Sequence, residues 1–271
     1  MTVRPWLRSS WFPDLAGKES TFPTLIPRRL RLTLGYRGTR YAGWSRTPGQ
    51  PTVQAVLEAA LASAVGHPVR ATAAGRTDAG VHAEGQVVSF ETSSPIPCDG
   101  LRRVAEQRLP DDIWIVDVSE VGPDFDARRS AVRRWYRYAV WRSGVPTAAW
   151  KGRCLEEPQA LNVDAMRTGA RALLGRRDFA SLVTRPSAEG STLRTVFAAD
   201  WLEVSASLLL FEICADAFLK QMVRAIVGSL LWVGTGHWTP EQFATAVSKA
   251  DRRAAGPNAP AVGLSLYRIE Y

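Results

Sequence analysis

The sequence is poor in residues that bind metals or form disulfide bonds. Its 271 residues include three cysteines and three histidines, and neither set has the spacing of a metal site. Cys98, Cys154 and Cys214 lie far apart and are odd in number, so no disulfide framework is expected. We therefore expect no metal ion, and we expect the reducing cytoplasm as the location.

Motifs for cofactor binding and membrane insertion are also missing. The chain has no glycine-rich phosphate loop, no Ser-His-Asp order and no signal-peptide pattern near its first residue. The longest apolar helix candidate, residues 217–233, contains Lys220, Gln221 and Arg224, which argues against a membrane span. The sequence therefore gives no reason to expect a cofactor or a membrane partner.

Lysine is scarce, although the chain carries a net charge of +8. The lysines are Lys18, Lys151, Lys220 and Lys249, so nearly all of the positive charge is arginine. Arginine binds phosphates with paired hydrogen bonds and stacks on bases, which favours a polyanionic partner. The alternative is a generally basic surface or a coding bias toward arginine. The candidates for phosphate contacts are the pairs Arg128-Arg129, Arg133-Arg134 and Arg176-Arg177.

A short polar segment, residues 74–83, reads Ala-Gly-Arg-Thr-Asp-Ala-Gly-Val-His-Ala. Strand-like runs precede it at residues 69–73 and follow it at residues 86–91, which predicts a loop held between two strands. Gly75 and Gly80 can adopt backbone angles that other residues avoid, so the loop can turn sharply at both ends.

This loop contains an arginine and an aspartate two residues apart, Arg76 and Asp78. In an extended segment both side chains would face the same side. Arg76 would then hold Asp78 ionised, with one oxygen free to act as a nucleophile or a base. The alternative is a polar hairpin loop in which Asp78 caps a backbone group and pairs with Arg76.

The ten residues 74–83 resemble the catalytic-loop signature of the TruA family of tRNA pseudouridine synthases. Further matches follow in register, so that the resemblance covers roughly residues 30–271. It implies that Asp78 is the essential catalytic carboxylate, and it leaves open whether Asp78 attacks the base, attacks the sugar or abstracts a sugar proton. It also implies that Arg76 helps to open the base stack at the target nucleotide.

Three further positions match residues of this family. Tyr136 matches the tyrosine that lies against the target base, although a half-buried strand tyrosine is the alternative. Arg224 lies in an apolar helical segment that resembles the second signature, which implies a pairing with Asp78. The alternative for Arg224 is a surface side chain whose charged end reaches water. Leu264 matches an apolar residue that lines the family's cleft.

The expected fold is α/β (α+β), in two ferredoxin-like or RNA-recognition-motif-like halves. These halves form a largely antiparallel sheet with helices on one side and a basic cleft between the halves. Residues 1–28 are expected to be an irregular extension, residues 29–125 to carry the Asp78 loop, and residues 126–271 to complete the cleft. A helix is predicted over residues 52–66, because apolar residues recur there at three- and four-residue spacing.

The resemblance implies isomerisation of uridine to pseudouridine at tRNA positions 38, 39 and 40, in the anticodon arm. It further implies a homodimer in which one tRNA contacts both subunits, and it requires no cofactor. The chain departs from the family pattern at Arg37, at residues 45–47 and at Glu106. These departures motivate an alternative, a related enzyme that acts on a free nucleoside or nucleotide in C-nucleoside biosynthesis. A third hypothesis is a non-catalytic RNA-binding module, against which the intact Asp78 loop argues.

Overall fold

The computed structural model describes residues 27–183, 191–249 and 251–271. The first half of the chain forms β1 (Arg28–Tyr36), α1 (Val53–Val65), β2 (Thr72–Ala73), β3 (His82–Thr92), α2 (Cys98–Glu106) and β4 (Ile113–Val121). The second half forms β5 (Arg133–Trp141), β6 (Leu155–Glu156), α3 (Val163–Ala170), β7 (Gly175–Asp178), β8 (Leu193–Glu203), β9 (Leu208–Ala215), α4 (Met222–Gly234), α5 (Pro240–Ser248) and β10 (Leu264–Glu270).

One sheet runs through both halves in the order β4-β1-β3-β10-β5-β9-β8-β7, with β2 added to β3 and β6 added to β5. Neighbouring strands along this path are antiparallel except β3 and β10, which pair in parallel. The parallel pair aligns Ser265 with His82 and Leu266 with Ala83. The last strand therefore joins the two halves beside the predicted catalytic loop.

The core lies on one face of this sheet. Alternation in β1 places Leu30, Leu32 and Leu34 on the same face, and all three side chains are fully buried. Burying a leucine contributes roughly 1.5–3 kcal/mol, so this face alone holds several kcal/mol of stabilisation. Residues from all five helices join these leucines in one continuous apolar cluster. The predicted class, a largely antiparallel sheet with helices on one side, is confirmed.

Several local predictions are confirmed and others need correction. Thr52 precedes α1 as predicted, but its hydroxyl makes no capping hydrogen bond and is buried without a partner among the described residues. Gly66 ends this helix at a φ of 79°, as its C-terminal position predicts. The strand before the catalytic loop is only the two residues of β2, shorter than the predicted run from residue 69.

The helix expected from residue 217 begins at Met222, because Gln221 has a φ of 61° and interrupts the helical backbone. The predicted N-terminal extension falls almost entirely on residues 1–26, outside the described residues, and β1 already begins at Arg28. Within the described part of the chain, no helix combines the length and apolarity that crossing a membrane requires.

Candidate active site

The loop that carries Asp78 connects β2 to β3 and is held by backbone hydrogen bonds. Gly80 donates to the carbonyl of Tyr41 at 3.2 Å, and Val81 donates to the carbonyl of Asp78 itself at 3.2 Å. Gly80 has a φ of 78°, a conformation in which a side chain would be strained. The predicted turn at Gly80 is therefore present, whereas Gly75 does not occupy the left-handed region.

Buried side chains also hold this loop in place through hydrogen bonds. The hydroxyls of Tyr36 and Thr77 are 2.8 Å apart and form a hydrogen bond. Gln86, which is fully buried, donates to the carbonyl of Gly75 at 2.7 Å and to the Tyr36 hydroxyl at 3.4 Å. Since buried polar groups are unfavourable unless they are hydrogen-bonded, this network favours one loop conformation. It fixes the backbone on both sides of Arg76 and immediately before Asp78.

A neighbouring segment closes over this loop. The amide of Trp44 donates to the carbonyl of Thr77 at 3.0 Å. Gly43 has a φ of 100°, and a Cβ at this position would lie 2.8 Å from that carbonyl oxygen. Only glycine permits this close approach of the two backbones.

The braced loop forms one wall of a cavity of about 850 Å³. All five sequence-predicted site residues line it: Arg76, Asp78, Tyr136, Arg224 and Leu264. Tyr136 comes from β5, Leu264 opens β10 and Arg224 lies in the first turn of α4. The structure thus brings together residues that are 188 positions apart, from Arg76 to Leu264. Among the described lining residues, Asp78 is the only carboxylate.

Two opposing effects act on Asp78. Burial raises the pKa of this half-buried carboxyl above its ordinary value, while the charges of Arg224 and Lys220 lower it. No described residue donates a hydrogen bond to the carboxylate, which leaves both oxygens free toward the cavity. The alternative in which Asp78 caps the backbone is therefore not supported.

The two predicted arginines stand differently with respect to this carboxylate. The Nε of Arg224 donates to the carbonyl of Ala259 at 2.7 Å, and the amide of Ala259 donates back to the carbonyl of Arg224 at 2.9 Å. Within the described ranges, no ion pair of 4.0 Å or less joins Asp78 to Arg224 or to Arg76. The expectation that Arg76 holds Asp78 ionised through a direct pair is not met, because Arg76 is exposed and the charges acting on the carboxyl are those of Arg224 and Lys220.

Tyr136 lies on the floor of the cavity. Its ring packs edge-on against Phe218, with centroids 5.0 Å apart and planes at 79°. Burial raises the pKa of the Tyr136 hydroxyl, with smaller contributions of the same sign from Tyr36 and Asp78. The hydroxyl lies near Gly75: a Cβ added to Gly75 would be 3.6 Å from the Tyr136 hydroxyl oxygen. Tyr136 therefore stays protonated and can act as a hydrogen-bond donor at neutral pH.

Sequence reasoning missed four residues of this site: Tyr36, Gln86, Phe218 and Lys220. Gln86 had a visible signal, since it is a polar residue at the start of an otherwise apolar run in β3. Lys220 and Phe218 precede α4, in the segment that resembles the second signature, and both line the cavity. The positive φ of Gln221, which separates them from α4, was not predicted. Within the described ranges, no three His, Cys, Asp or Glu side chains are grouped so that they could hold a metal ion.

One carboxylate and several cations among the described lining residues form an arrangement that is typical of enzyme sites for anionic substrates. The family model described as tRNA pseudouridine synthase matches residues 34–128 and 170–271, well over half of the chain. The tRNA pseudouridine synthase A of Pelobacter propionicus is 38% identical, covering 90% of this chain and 100% of that protein. The proteins of that name from Moorella thermoacetica and Chloroflexus aurantiacus are each 40% identical, covering 89% and 90% of this chain and 99% and 89% of their own lengths.

The chain therefore belongs to the TruA family of tRNA pseudouridine synthases, as the loop resemblance implied. It is an isomerase that acts on uridine.

Proposed function

We propose that this enzyme converts uridine to pseudouridine in the anticodon arm of tRNA, at positions 38, 39 and 40. The observation that carries the proposal is the shared cavity of about 850 Å³, in which Asp78 is the only carboxylate among the described lining residues. Its volume lies within the usual range of about 300–1,000 Å³ for ligand sites and is ample for a uridine nucleotide. The surrounding cations suit a polyanion such as tRNA.

In the proposed reaction, Asp78 is the essential carboxylate. The bond between C1′ of the ribose and N1 of the uracil breaks, the base turns over, and a bond forms between C1′ and C5. The proton on C5 leaves and N1 receives one, so the product is an isomer of the substrate. Because no atom is lost and no electron is transferred, the reaction requires no cofactor.

The other residues have supporting roles in this proposal. Arg224, fixed by its reciprocal hydrogen bonds with Ala259, favours the ionised form of Asp78 through its charge. Tyr136 offers its ring to the base and its protonated hydroxyl for proton transfer, and Leu264 forms an apolar wall. Arg76 is exposed at the cavity and helps to open the base stack, because a target inside a stacked arm must first be extruded.

We further propose that the enzyme works in the cytoplasm as a homodimer whose two subunits contact one tRNA. The family resemblance supports this arrangement. The unneutralised positive charge around the cavity supports a substrate with many phosphates.

The proposal is tested by incubating the purified protein with two substrates, an unmodified tRNA transcript carrying uridines at positions 38–40 and free UMP. Pseudouridine is quantified after nuclease digestion by liquid chromatography and mass spectrometry. Transcripts with cytidine at one of the three positions report which uridine reacts. We expect product from the tRNA and none from UMP. Product from UMP alone would favour the small-molecule alternative, and product at uridines outside the anticodon arm would contradict the assigned positions.

A further inference from the structure

Six of the described residues that line the Asp78 cavity are cationic, and they differ in what their side chains bind. They are Arg76, Arg128, Arg134, Arg194, Lys220 and Arg224. With Asp78 as the only described lining acid, the cavity carries an excess of positive charge. A cleft lined by one sign of charge attracts counterions strongly.

Three of the six are engaged by the protein itself. Arg134 donates to the backbone carbonyls of four residues, Ala74, Ala131, Asp216 and Arg128, at distances from 2.5 to 3.3 Å. Arg194 donates to two carbonyls and Arg224 to that of Ala259. These hydrogen bonds fix the guanidinium groups as parts of the wall. Arg134, which the sequence suggested as a phosphate contact, therefore has a structural role.

The remaining three, Arg76, Arg128 and Lys220, are exposed, and their side chains have no hydrogen bond or ion pair to any described residue. They come from three separate segments: the loop after β2, the connection before β5 and the segment before α4. All three line the same cavity as Asp78. When an anion binds, these cations can form charge-assisted hydrogen bonds to it without first breaking hydrogen bonds to the protein.

We propose that Arg128 and Lys220 bind the two phosphodiester groups that flank the target uridine, one phosphate each. This inference rests on the proposed function, because it assumes an RNA strand whose target nucleotide enters the cavity. Arg128 offers a planar fork for a phosphate, and Lys220 offers a mobile point charge. Arg76 remains available for the base stack. The two residues thus hold the strand on both sides of the extruded nucleotide.

The experiment measures tRNA affinity as a function of salt, in the Asp78→Asn background so that no turnover occurs. Each neutralised phosphate contributes about −0.7 to −0.9 to the slope of log affinity against log salt. Arg128→Met and Lys220→Met should each reduce the magnitude of that slope by this amount, and the double variant by about twice as much. Lys220→Arg should restore the slope, since it keeps the charge.

The chain offers a matched control for each variant. Arg129, which the sequence suggested as a phosphate contact together with Arg128, is not among the residues that line the cavity, and its guanidinium lies 3.6 Å from the carboxylate of Asp126. Lys249, an exposed lysine at the end of α5, lies outside the cavity. Arg129→Met and Lys249→Met should leave the slope unchanged. Equal losses in these controls, or unchanged slopes for Arg128→Met and Lys220→Met, would overturn the phosphate assignment.

The outcome can be separated from that of the proposed function. Pseudouridine formation by the wild type is measured on the same transcript. If the wild type forms pseudouridine but the two variants keep its slope, only the phosphate assignment fails. If the wild type forms none, the proposed function fails, whatever the slopes are. Since all four side chains are exposed, thermal melting should give unchanged stability for every variant.

Discussion

Two cavities among the described residues contain arginines, and the charges of these arginines are balanced in different ways. The Asp78 cavity contains Tyr136, while a second cavity of about 410 Å³ is lined by the next residue of β5, Arg137. Because successive strand residues point to opposite faces, the two cavities lie on opposite faces of the sheet. In the second cavity Arg137 pairs with Glu212 at 2.5 Å and Arg153 pairs with Glu84 at 3.1 Å.

Whether an arginine has a partner in the protein distinguishes the cations with a structural role from those that could contact a substrate. In the second cavity each arginine has its own carboxylate, and the guanidinium of Arg137 also stacks 3.3 Å above the ring centroid of Tyr267. In the Asp78 cavity the arginines bind backbone carbonyls or have no partner among the described residues. A backbone carbonyl fixes a guanidinium without cancelling its charge. Of these two cavities, the one at Asp78 therefore keeps the positive field that attracts a polyanion.

The largest expected difference between the cavities comes from removing their carboxylates. Asp78→Asn should lower kcat by about 10³-fold or more, because asparagine can act neither as a nucleophile nor as a base at neutral pH. Glu84→Gln should leave kcat within about twofold, because a partly exposed ion pair contributes only about 0–1 kcal/mol. Single-turnover assays on the tRNA transcript measure both. Substantial turnover by purified Asp78→Asn would remove Asp78 from its role.

Much of the fold could be predicted from the periodicity of apolar residues, because their alternation in β1 and their three- and four-residue spacing in α1 are local signals. The Asp78 loop was readable because a ten-residue run carries enough information on its own. The hydrogen-bond and ion-pair partners of individual cations could not be predicted from the sequence. Strand alternation places Arg133 and Arg134 on opposite faces but identifies neither partner: Arg134 donates to the carbonyl of Asp216 at 2.5 Å across 82 residues, and Arg133 pairs with Glu270. The bend at Gln221 that presents Lys220 is likewise a tertiary feature, since a glutamine rarely adopts a positive φ.

His82 couples the loop strand to the second cavity and provides a test of stability against pH. Its Nδ1 accepts from the amide of Gly38 at 3.2 Å, and its Nε2 donates to the carbonyl of Val262 at 3.0 Å, so the neutral ring fits the site. Burial lowers the pKa of His82 to about 4. The unfolded state binds this proton first, near pH 6.5. The contribution of His82 is thus fully present above about pH 6.5 and is lost as pH falls toward 4.

This loss should amount to at most about 3 kcal/mol in the free energy of unfolding. Urea denaturation of the wild type and of His82→Gln between pH 7 and pH 4 measures it. Glutamine can accept from Gly38 and donate to Val262 without titrating, so the difference between the two proteins isolates His82 from the carboxylates. Parallel stability curves for the two proteins would show that His82 does not titrate as described.

The tyrosine under the Asp78 loop should matter for catalysis more than a comparable tyrosine elsewhere. Tyr36→Phe leaves the Thr77 hydroxyl without this partner and removes the acceptor of the 3.4 Å hydrogen bond from Gln86. An unsatisfied buried group costs about 1–3 kcal/mol, and we expect roughly a tenfold lower kcat with little change in KM. Burial raises the pKa of Tyr36 to about 12, so the effect should not depend on pH near neutrality. The control is Tyr271→Phe, which removes the hydrogen bond that the Tyr271 hydroxyl donates to the carbonyl of Ala127, a bond that does not involve the network of Tyr36, Thr77 and Gln86. Equal losses of kcat in both would attribute the effect to general stability.

Removing one arginine from each cavity should give the smallest change in kcat at high pH. The two variants should also differ most clearly in how kcat depends on pH. In Arg224→Met, a positive charge that lowers the pKa of Asp78 is lost, so that pKa rises further above its ordinary value. The carboxylate must be ionised to act, so the acid limb of the rate profile should move to higher pH. We expect roughly a tenfold loss of kcat near neutrality, with recovery as pH rises. Arg153→Met removes an arginine of similar exposure that is paired with Glu84, and its rate profile should coincide with that of the wild type. Single-turnover rates from pH 5 to 9 measure both profiles. If Arg224→Met lowers kcat equally at every pH, its guanidinium acts by shaping the cavity wall through Ala259 and not through the charge of Asp78.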